Sequence, residues 1–143
     1  MICAFTVDGK PASRGSKRAV RTKSGKINLI DNAASYVYMD AIRLKAKVAM
    51  AGRLPVDGPV VLYWVARFTR PKSHYRRSGE LRPDAPVYHT NVPDCSKVVR
   101  GVEDAMAKIV YADDRQIVSY APGHGKQWTC GPSHTEIALF AVK

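Results

Sequence analysis

The sequence predicts an α+β domain in which a small mixed β-sheet of about four to five strands packs against two main helices. Short segments rich in β-branched and aromatic residues occur near both ends and in the middle of the chain, and two longer segments place apolar residues at helical spacing. The chain has 143 residues, the size of one ordinary domain, so we assign residues 1–143 to a single domain.

Four segments predict strands. Residues 2–8 (ICAFTVD) and 58–68 (GPVVLYWVARF) are rich in β-branched and aromatic residues and are flanked by Gly or Pro. Residues 116–119 (QIVS) and 136–142 (EIALFAV) predict two closing strands. The intervening residues 121–133 (APGHGKQWTCGPS) are rich in Gly and Pro, which predicts a turn region.

Two segments predict helices. Residues 31–50 carry apolar residues at helical spacing, at Val37, Ala41, Leu44 and Val48. Asp31 or Asn32 can cap the start of this helix, and Gly52 lies just past its end. A second helix begins near Pro93 or Asp94, and its apolar residues fall on one face, at Val98, Val102, Ala105 and Ile109.

The composition indicates a polyanionic partner. Lys and Arg number 23 and Asp and Glu number 12, which gives a net charge of +11. No apolar run approaches the roughly 20 residues that cross a bilayer, so we expect no membrane partner. The N-terminus lacks the apolar region of a secretory signal, and three cysteines, an odd number, do not indicate a disulfide framework. We therefore expect a cytoplasmic protein.

The basic residues form two clusters that we expect to contact DNA phosphates. Residues 10–26 hold no acid and are interrupted by Gly and Pro, which predicts an exposed loop or a loose hairpin. In residues 67–82 the cations alternate with His74 and Tyr75, a mixture suited to gripping a backbone and stacking on bases. The candidate DNA contacts are Lys10, Arg14, Lys17, Arg18, Arg21 and Lys23 in the first cluster and Arg70, Lys72, Arg76 and Arg77 in the second.

Acidic residues concentrate in one window of 21 residues, at Asp94, Glu103, Asp104, Asp113 and Asp114. A protein that binds phosphates gains nothing from adjacent carboxylates unless cations lie between them and the nucleic acid. Mg²⁺ prefers oxygen ligands, needs only one to three protein carboxylates, and can activate water for phosphodiester hydrolysis. The window therefore indicates a metal-dependent nuclease, with Asp94, Asp113, Asp114 and Asp104 as candidate metal ligands.

Other interpretations of these residues stay open. Asp94 can be the N-cap of the second helix, and Asp113 with Asp114 can form a polar turn. A metal-free nucleic-acid-binding module would share the basic clusters and use the acids only in this structural way. A zinc site from His124, Cys130 and His134 would need a fourth ligand, Cys3 or His89, and the spacing matches no closed four-ligand pattern.

The segments VPDCSKVVRGVEDAM and IVYADDRQIVSY resemble the signature of the RusA-like Holliday junction resolvases, small endonucleases common in prophages. In that family a helix opens with Pro-Asp-x-Asp, continues to Asp-Ala-Leu, and is followed by Asp-Asp-x-Gln. The matching positions are Pro93, Asp94, Lys97, Arg100, Asp104, Ala105, Asp113, Asp114, Gln116 and Ile117. The N-terminal and central basic segments agree in kind, so the resemblance covers nearly the full length.

The resemblance implies a homodimer that cleaves branched DNA, such as four-way junctions, with Mg²⁺ or substituting Mn²⁺, in a bacterial or phage-infected host cell. It assigns the metal carboxylates to Asp94 and Asp114, with Asp113 beside them, and a catalytic lysine of the family falls on Arg100. Arg100 does not deprotonate, so we expect it to clamp the scissile phosphate electrostatically. Lys97 joins the candidate DNA contacts. A twofold dimer also suits the twofold symmetry of a four-way junction.

One departure from the family pattern concerns the metal. The second aspartate of the opening helix, two residues after Asp94, is Ser96 in this chain. A neutral hydroxyl replaces a carboxylate, which weakens the expected affinity for Mg²⁺. The alternative function is therefore a catalytically weak or inactive protein that binds branched DNA.

Overall fold

The computed structural model describes residues 1–14, 17–31 and 33–143. The strands are β1 (Cys3–Asp8), β2 (Lys17–Arg21), β3 (Ile27–Asp31), β4 (Val60–Thr69), β5 (Ile117–Tyr120), β6 (Gly125–Thr129) and β7 (His134–Ala141). The two α-helices are α1 (Ala33–Met50) and α2 (Cys95–Met106). The predicted α+β class, with a mixed sheet of five strands and two main helices in a single small domain, is confirmed.

The central strand of the five-stranded sheet is β4. One edge of β4 pairs antiparallel with β7, which in turn pairs antiparallel with β1. The other edge of β4 pairs in parallel with two strands in succession, with β5 near its start and with β6 near its end. Tyr111, in the segment before β5, contacts Glu103 of α2, and Gly125, which begins β6, lies near Cys95 at the start of α2.

The sheet also differs from the sequence prediction. Strand β6 lies inside residues 121–133, for which the Gly and Pro content predicted only turns, so that prediction was wrong for Gly125–Thr129. Strands β2 and β3 form a separate antiparallel hairpin. The first strand and the turn of this hairpin lie within residues 10–26, for which an exposed loop or a loose hairpin was predicted, but its second strand lies entirely beyond that segment.

Helix α1 follows the hairpin and packs on α2 and β1. Its buried side chains are Ser35, Tyr38, Met39, Ile42, Ala46 and Met50. The apolar residues whose spacing predicted the helix lie on the other side, where Val37, Leu44 and Val48 are 71%, 64% and 70% exposed. The predicted cap residue Asn32 and the side chain of Asp31 lie outside the described part of the chain.

Helix α2 presents one apolar face to the core, where Val98, Val102 and Ala105 are fully buried. The helix ends at Met106, so Ile109, which the spacing assigned to it, lies beyond its end. Lys108 follows with a φ of 67°, a left-handed conformation that an α-helix cannot continue through. Within the described residues, no helix combines the length and the apolar character needed to cross a membrane.

Candidate active site

The exposed face of α2 carries the polar residues of the acidic window. Arg100 lies three residues before Glu103 and four before Asp104, a spacing that makes their side chains neighbours on one helix face. Ser96 lies one turn earlier on that face. The opposite face is buried in the core, so these polar side chains must project outward from α2.

Asp94 is the N-cap residue of α2. Its backbone is extended, and its side chain accepts no capping hydrogen bond from the described residues. The carboxylate instead lies 3.7 Å from Lys97 Nζ and is 62% exposed. Asp94, Lys97 and Lys10 line a cavity of about 400 Å³. The carboxylate that the capping interpretation would have engaged is therefore available to a ligand.

A second group of carboxylates lies near the other end of α2. Burial raises the pKa of Glu103 above its ordinary value of 4.5, and the negative charges of Asp114 and Asp104 raise it further. A hydrogen bond that Tyr120 donates to Glu103 Oε1 acts in the opposite direction. Both aspartates are thus close enough to Glu103 for their charges to act on it.

Tyr111 is hydrogen-bonded to the backbone of this carboxylate group. Its buried hydroxyl donates to the backbone carbonyl of Glu103 at 2.6 Å. Burial raises the pKa of Tyr111, and the charges of Glu103, Asp114 and Asp104 raise it further. The phenol therefore stays protonated and holds the last turn of α2 against the segment that carries Asp114.

Asp113 and Asp114 have different surroundings. Asp113 Oδ1 accepts a hydrogen bond from Arg115 N at 3.0 Å, and this bond lowers the pKa of Asp113. Gln116 Oε1 accepts from Asp113 N, completing a capping box around the short 3₁₀ turn Asp114–Gln116. Asp113 therefore shapes the turn, whereas Asp114 is exposed and its charge acts on Glu103.

Asp104 is paired with a residue from the first basic cluster. Arg14 Nε donates to Asp104 Oδ2 at 2.8 Å, and Arg14 N donates to the carbonyl of Lys97 at 2.9 Å. The segment crosses α2 closely at Gly101, where a Cβ would lie 3.4 Å from Arg14 Cβ, a van der Waals contact. Residues 10–14 therefore lie across α2 between its two groups of carboxylates.

The predicted metal ligands fall into two sets. Asp94 precedes the first turn of α2, and Asp104 lies in its last turn, about 15 Å away along the helix axis. Asp104 and Asp114 accompany Glu103, an acid of the same window that was not among the predicted metal ligands. Among the residues that the structure describes, no three His, Cys, Asp or Glu side chains are grouped closely enough to hold a metal ion.

Comparison with known protein families matches residues 8–139 to endodeoxyribonuclease RusA. The chain belongs to the RusA family. It is also similar to a protein from Bacillus subtilis (strain 168), the uncharacterized protein YqaN. The two are 30% identical over 121 residues, and the matched region covers 80% of each chain. The family resemblance based on the Asp94 helix and the Asp113–Gln116 element is thus confirmed.

The oxygen donors of this RusA family member suit Mg²⁺. Mg²⁺ usually keeps several waters and takes one or two protein carboxylates, so a site with fewer than three is chemically sufficient. Glu103 is the carboxylate whose pKa the charges of Asp114 and Asp104 raise. Asp94 is the other exposed carboxylate of the family motif, and it faces two lysines rather than further acids.

Several predicted DNA contacts of the RusA family member are exposed. Arg76 and Arg77 line a cavity of about 480 Å³ together with Arg82. Lys72 is exposed nearby, and Arg21 and Lys23 are exposed in the β2–β3 hairpin. The side chains of Lys17 and Arg18 lie outside the described part of the structure.

Arg70 has an internal role. Its guanidinium donates to the carbonyl of Pro86 at 2.7 Å and lies 3.2 Å from His74 Nδ1. These contacts fasten the loop after β4 to the segment before α2. Arg70 therefore supports the central basic segment from within, and the geometry does not aim its guanidinium outward like those of its neighbours.

The residues of the alternative zinc site are engaged separately. His124 Nδ1 lies 3.0 Å from the carbonyl of Ala121, and His134 Nδ1 lies 2.9 Å from the carbonyl of Pro132. Cys130 is exposed. Since these side chains form no metal-binding group within residues 1–14, 17–31 and 33–143, the structure gives no support for zinc.

Proposed function

We propose that this protein is a Mg²⁺-dependent, structure-specific endodeoxyribonuclease. Its reaction is phosphodiester hydrolysis in Holliday junctions or related branched DNA, in recombination and repair, with Mn²⁺ able to replace Mg²⁺. The proposal is carried by the carboxylates at the two ends of α2, with Asp94 at its start and Glu103 and Asp104 in its last turn, on a chain whose net charge is +11. Membership of the RusA family supports the same reaction class.

The carboxylates would hold the metal, and Arg100 would hold the phosphate. We assign the metal to Asp114, with Glu103 and Asp104 beside it, and we retain Asp94 and Asp113 as further candidates. When bound, Mg²⁺ supplies an activated water and neutralises charge on the phosphate. Arg100 is one helical turn from Glu103 and Asp104, so its guanidinium can clamp the scissile phosphate beside the carboxylates.

The start of α2 would bind a neighbouring phosphate. Lys97 and Lys10 border the cavity that Asp94 faces, and the backbone N–H groups of a helix N-terminus attract anions. We propose Asp94 as a catalytic residue that acts there, two turns from Arg100. DNA would therefore lie along the exposed face of α2, in contact with both groups of carboxylates.

We propose that the active species is a homodimer. A four-way junction has twofold symmetry, and its resolution needs two nicks in related strands. Two copies of the site related by a molecular dyad match that requirement, whereas a monomer would nick once.

A second candidate function is binding of branched DNA with little or no cleavage. It is favoured by Ser96, where the family pattern has an aspartate, because Ser96 lies on the same exposed face of α2 as Arg100. The two candidates make opposite predictions for Ser96→Asp. A carboxylate there should raise cleavage by a weak enzyme, and it should weaken DNA binding by a protein that uses no metal.

The decisive experiment is cleavage of a synthetic four-way junction during a Mg²⁺ titration. We expect two symmetrical nicks that require Mg²⁺ and disappear with a chelator. Asp114→Asn and Asp94→Asn should each reduce nicking by on the order of 100-fold or more, with binding unchanged or tighter. Asp57→Asn, at an exposed position before β4, is the control for loss of one negative charge. Junction binding without nicking at any concentration of Mg²⁺ or Mn²⁺ would support the second function.

A further inference from the structure

An apolar stripe on helix α1 faces solvent. Its members are Val37, Ala41, Leu44 and Val48, separated by four, three and four residues, which places them in one row along the helix. Val37, Leu44 and Val48 are each more than 60% exposed, and Ala41 is half-buried. The opposite face of α1 already supplies the core. The helix is therefore apolar on both sides. Packing in the core accounts for the buried side only, so the exposed apolar side needs a separate explanation.

We propose that this α1 stripe is a dimer interface in which it packs antiparallel against α1 of a second copy of the chain. Spacings of four and three residues are those of the facing positions in a two-helix coiled coil. In an antiparallel pair centred between residues 42 and 43, Val37 lies opposite Val48 of the second copy, and Ala41 lies opposite Leu44. Each pair occurs twice, so all four residues are covered on both copies.

The charges beside the stripe favour the antiparallel arrangement. Asp40, the only acid of α1, pairs with Arg43 of its own helix at 2.7 Å, and Lys47 lies seven residues later on the same flank of the stripe. The antiparallel register that pairs the apolar residues brings Asp40 of each copy to Lys47 of the other, twice per dimer. It also opposes the two helix dipoles, whereas a parallel pair aligns them.

A second copy explains the stripe better than DNA does. Valine and leucine side chains offer phosphates no polar contact, whereas they pack well against the same residues of a second helix. A twofold axis through the middle of α1 also relates the two copies of α2. The inference rests on the proposed homodimer, which it deepens by naming the surface, but its test measures mass and does not depend on nuclease activity.

The test is the molar mass of the full chain by light scattering or sedimentation over a range of concentrations. We expect the wild type to be a dimer, and Leu44→Glu to raise the dissociation constant by on the order of 100-fold while circular dichroism still shows a folded protein. Leu54→Glu is the matched control, because Leu54 is 84% exposed outside the stripe. A dimer that survives Leu44→Glu overturns the interface but leaves the proposed dimer intact. A wild type that is monomeric at every concentration overturns both.

A charge exchange tests the register. Asp40→Lys places like charges together and should weaken the dimer, and the double variant Asp40→Lys with Lys47→Asp should restore it. In a parallel pair Asp40 would instead face Lys45 of the second copy. Rescue by Lys45→Asp in place of Lys47→Asp therefore overturns the antiparallel arrangement.

Discussion

Arg14 Nε lies 2.8 Å from Asp104 Oδ2, so a candidate DNA contact and a candidate metal ligand are paired with each other across 90 residues of sequence. Both side chains are about 30% exposed, a level at which solvent screens much of the Coulomb energy. The pair orders the basic segment before β2 over α2 and lowers the negative charge available beside Glu103.

We predict that Arg14 and Asp104 are energetically coupled. A double-mutant cycle with Arg14→Ala and Asp104→Ala should give a coupling of about 0.5–1 kcal/mol in urea unfolding, because the pair is partly exposed. Arg14→Ala should change the salt dependence of junction binding little, since this guanidinium is already engaged. A coupling near zero, with a clearly shallower salt dependence, would instead place Arg14 on the DNA.

Arg77 should behave as a phosphate contact. Arg77→Ala should weaken junction binding for all sequences and reduce the slope of log K against log salt by about one. Arg67→Ala is the matched control, because Arg67 donates to Gln127 Oε1 at 2.7 Å and lies 3.3 Å from Glu136 Oε1. Equal slopes for Arg77→Ala and the wild type would contradict the contact.

Glu103 should make stability depend on pH. Its pKa is raised in the folded protein by burial and by Asp114 and Asp104, so the unfolded chain ionises first. Its contribution to stability is present below its ordinary pKa of 4.5 and is lost as the pH rises through the raised value. Glu103→Gln cannot ionise. As the pH rises from 4.5 through the raised pKa of Glu103, the melting temperature of the wild type should therefore fall relative to that of Glu103→Gln.

Mg²⁺ should oppose this loss. A cation held at Glu103 and Asp114 favours the ionised carboxylates. At a pH above the raised pKa of Glu103, added Mg²⁺ should therefore raise the melting temperature of the wild type and have a smaller effect on Glu103→Gln. Glu80→Gln removes the same charge from an exposed turn and serves as the control. An identical response of all three proteins to Mg²⁺ would count against metal binding at Glu103.

The sequence predicted the strands and helices whose evidence is local. Both helices and strands β1, β4, β5 and β7 follow from periodicity and composition. Strand β6 does not, because Gly125 begins it and its stability comes from pairing with β4, 60 residues away. Composition describes the conformational freedom of a segment, and a partner strand distant in sequence can override it.

Periodicity alone also could not predict which face of α1 is buried. Apolar residues occupy both sides of this helix, and Val37 and Leu44 are as regularly spaced as the buried Met39 and Ile42. Only the positions of β1 and α2 decide which side is covered. For the same reason the sequence identified the acidic window but not the partnership of Glu103 with Asp114, which requires the return of the chain after α2.

Lys126, on the unpredicted strand β6, should position the segment that carries Asp94. Its Nζ donates to the carbonyls of Asn91 and Pro93, each at 2.6 Å, and lies 3.5 Å from His89 Nδ1. The ammonium group thereby holds Asn91 and Pro93, in the segment just before Asp94. Lys126→Met keeps the side-chain length and removes these bonds, which should cost about 1–2 kcal/mol of folding stability and reduce nicking more than junction binding.

The pKa of His89 tests the same contact and does not depend on a measurement of nuclease activity. Burial lowers the pKa of His89 below its ordinary value of 6.5, and the charge of Lys126 lowers it further. His89 is stacked on Phe68 at 3.8 Å, and this burial remains in the variant. An NMR titration of Lys126→Met should therefore show the pKa of His89 rising only part of the way towards 6.5, whereas Lys126→Arg should leave it nearly unchanged. If the pKa of His89 did not move in Lys126→Met, the ammonium group would not lie beside the imidazole in solution. The prediction that Lys126 positions the segment before Asp94 would then be wrong.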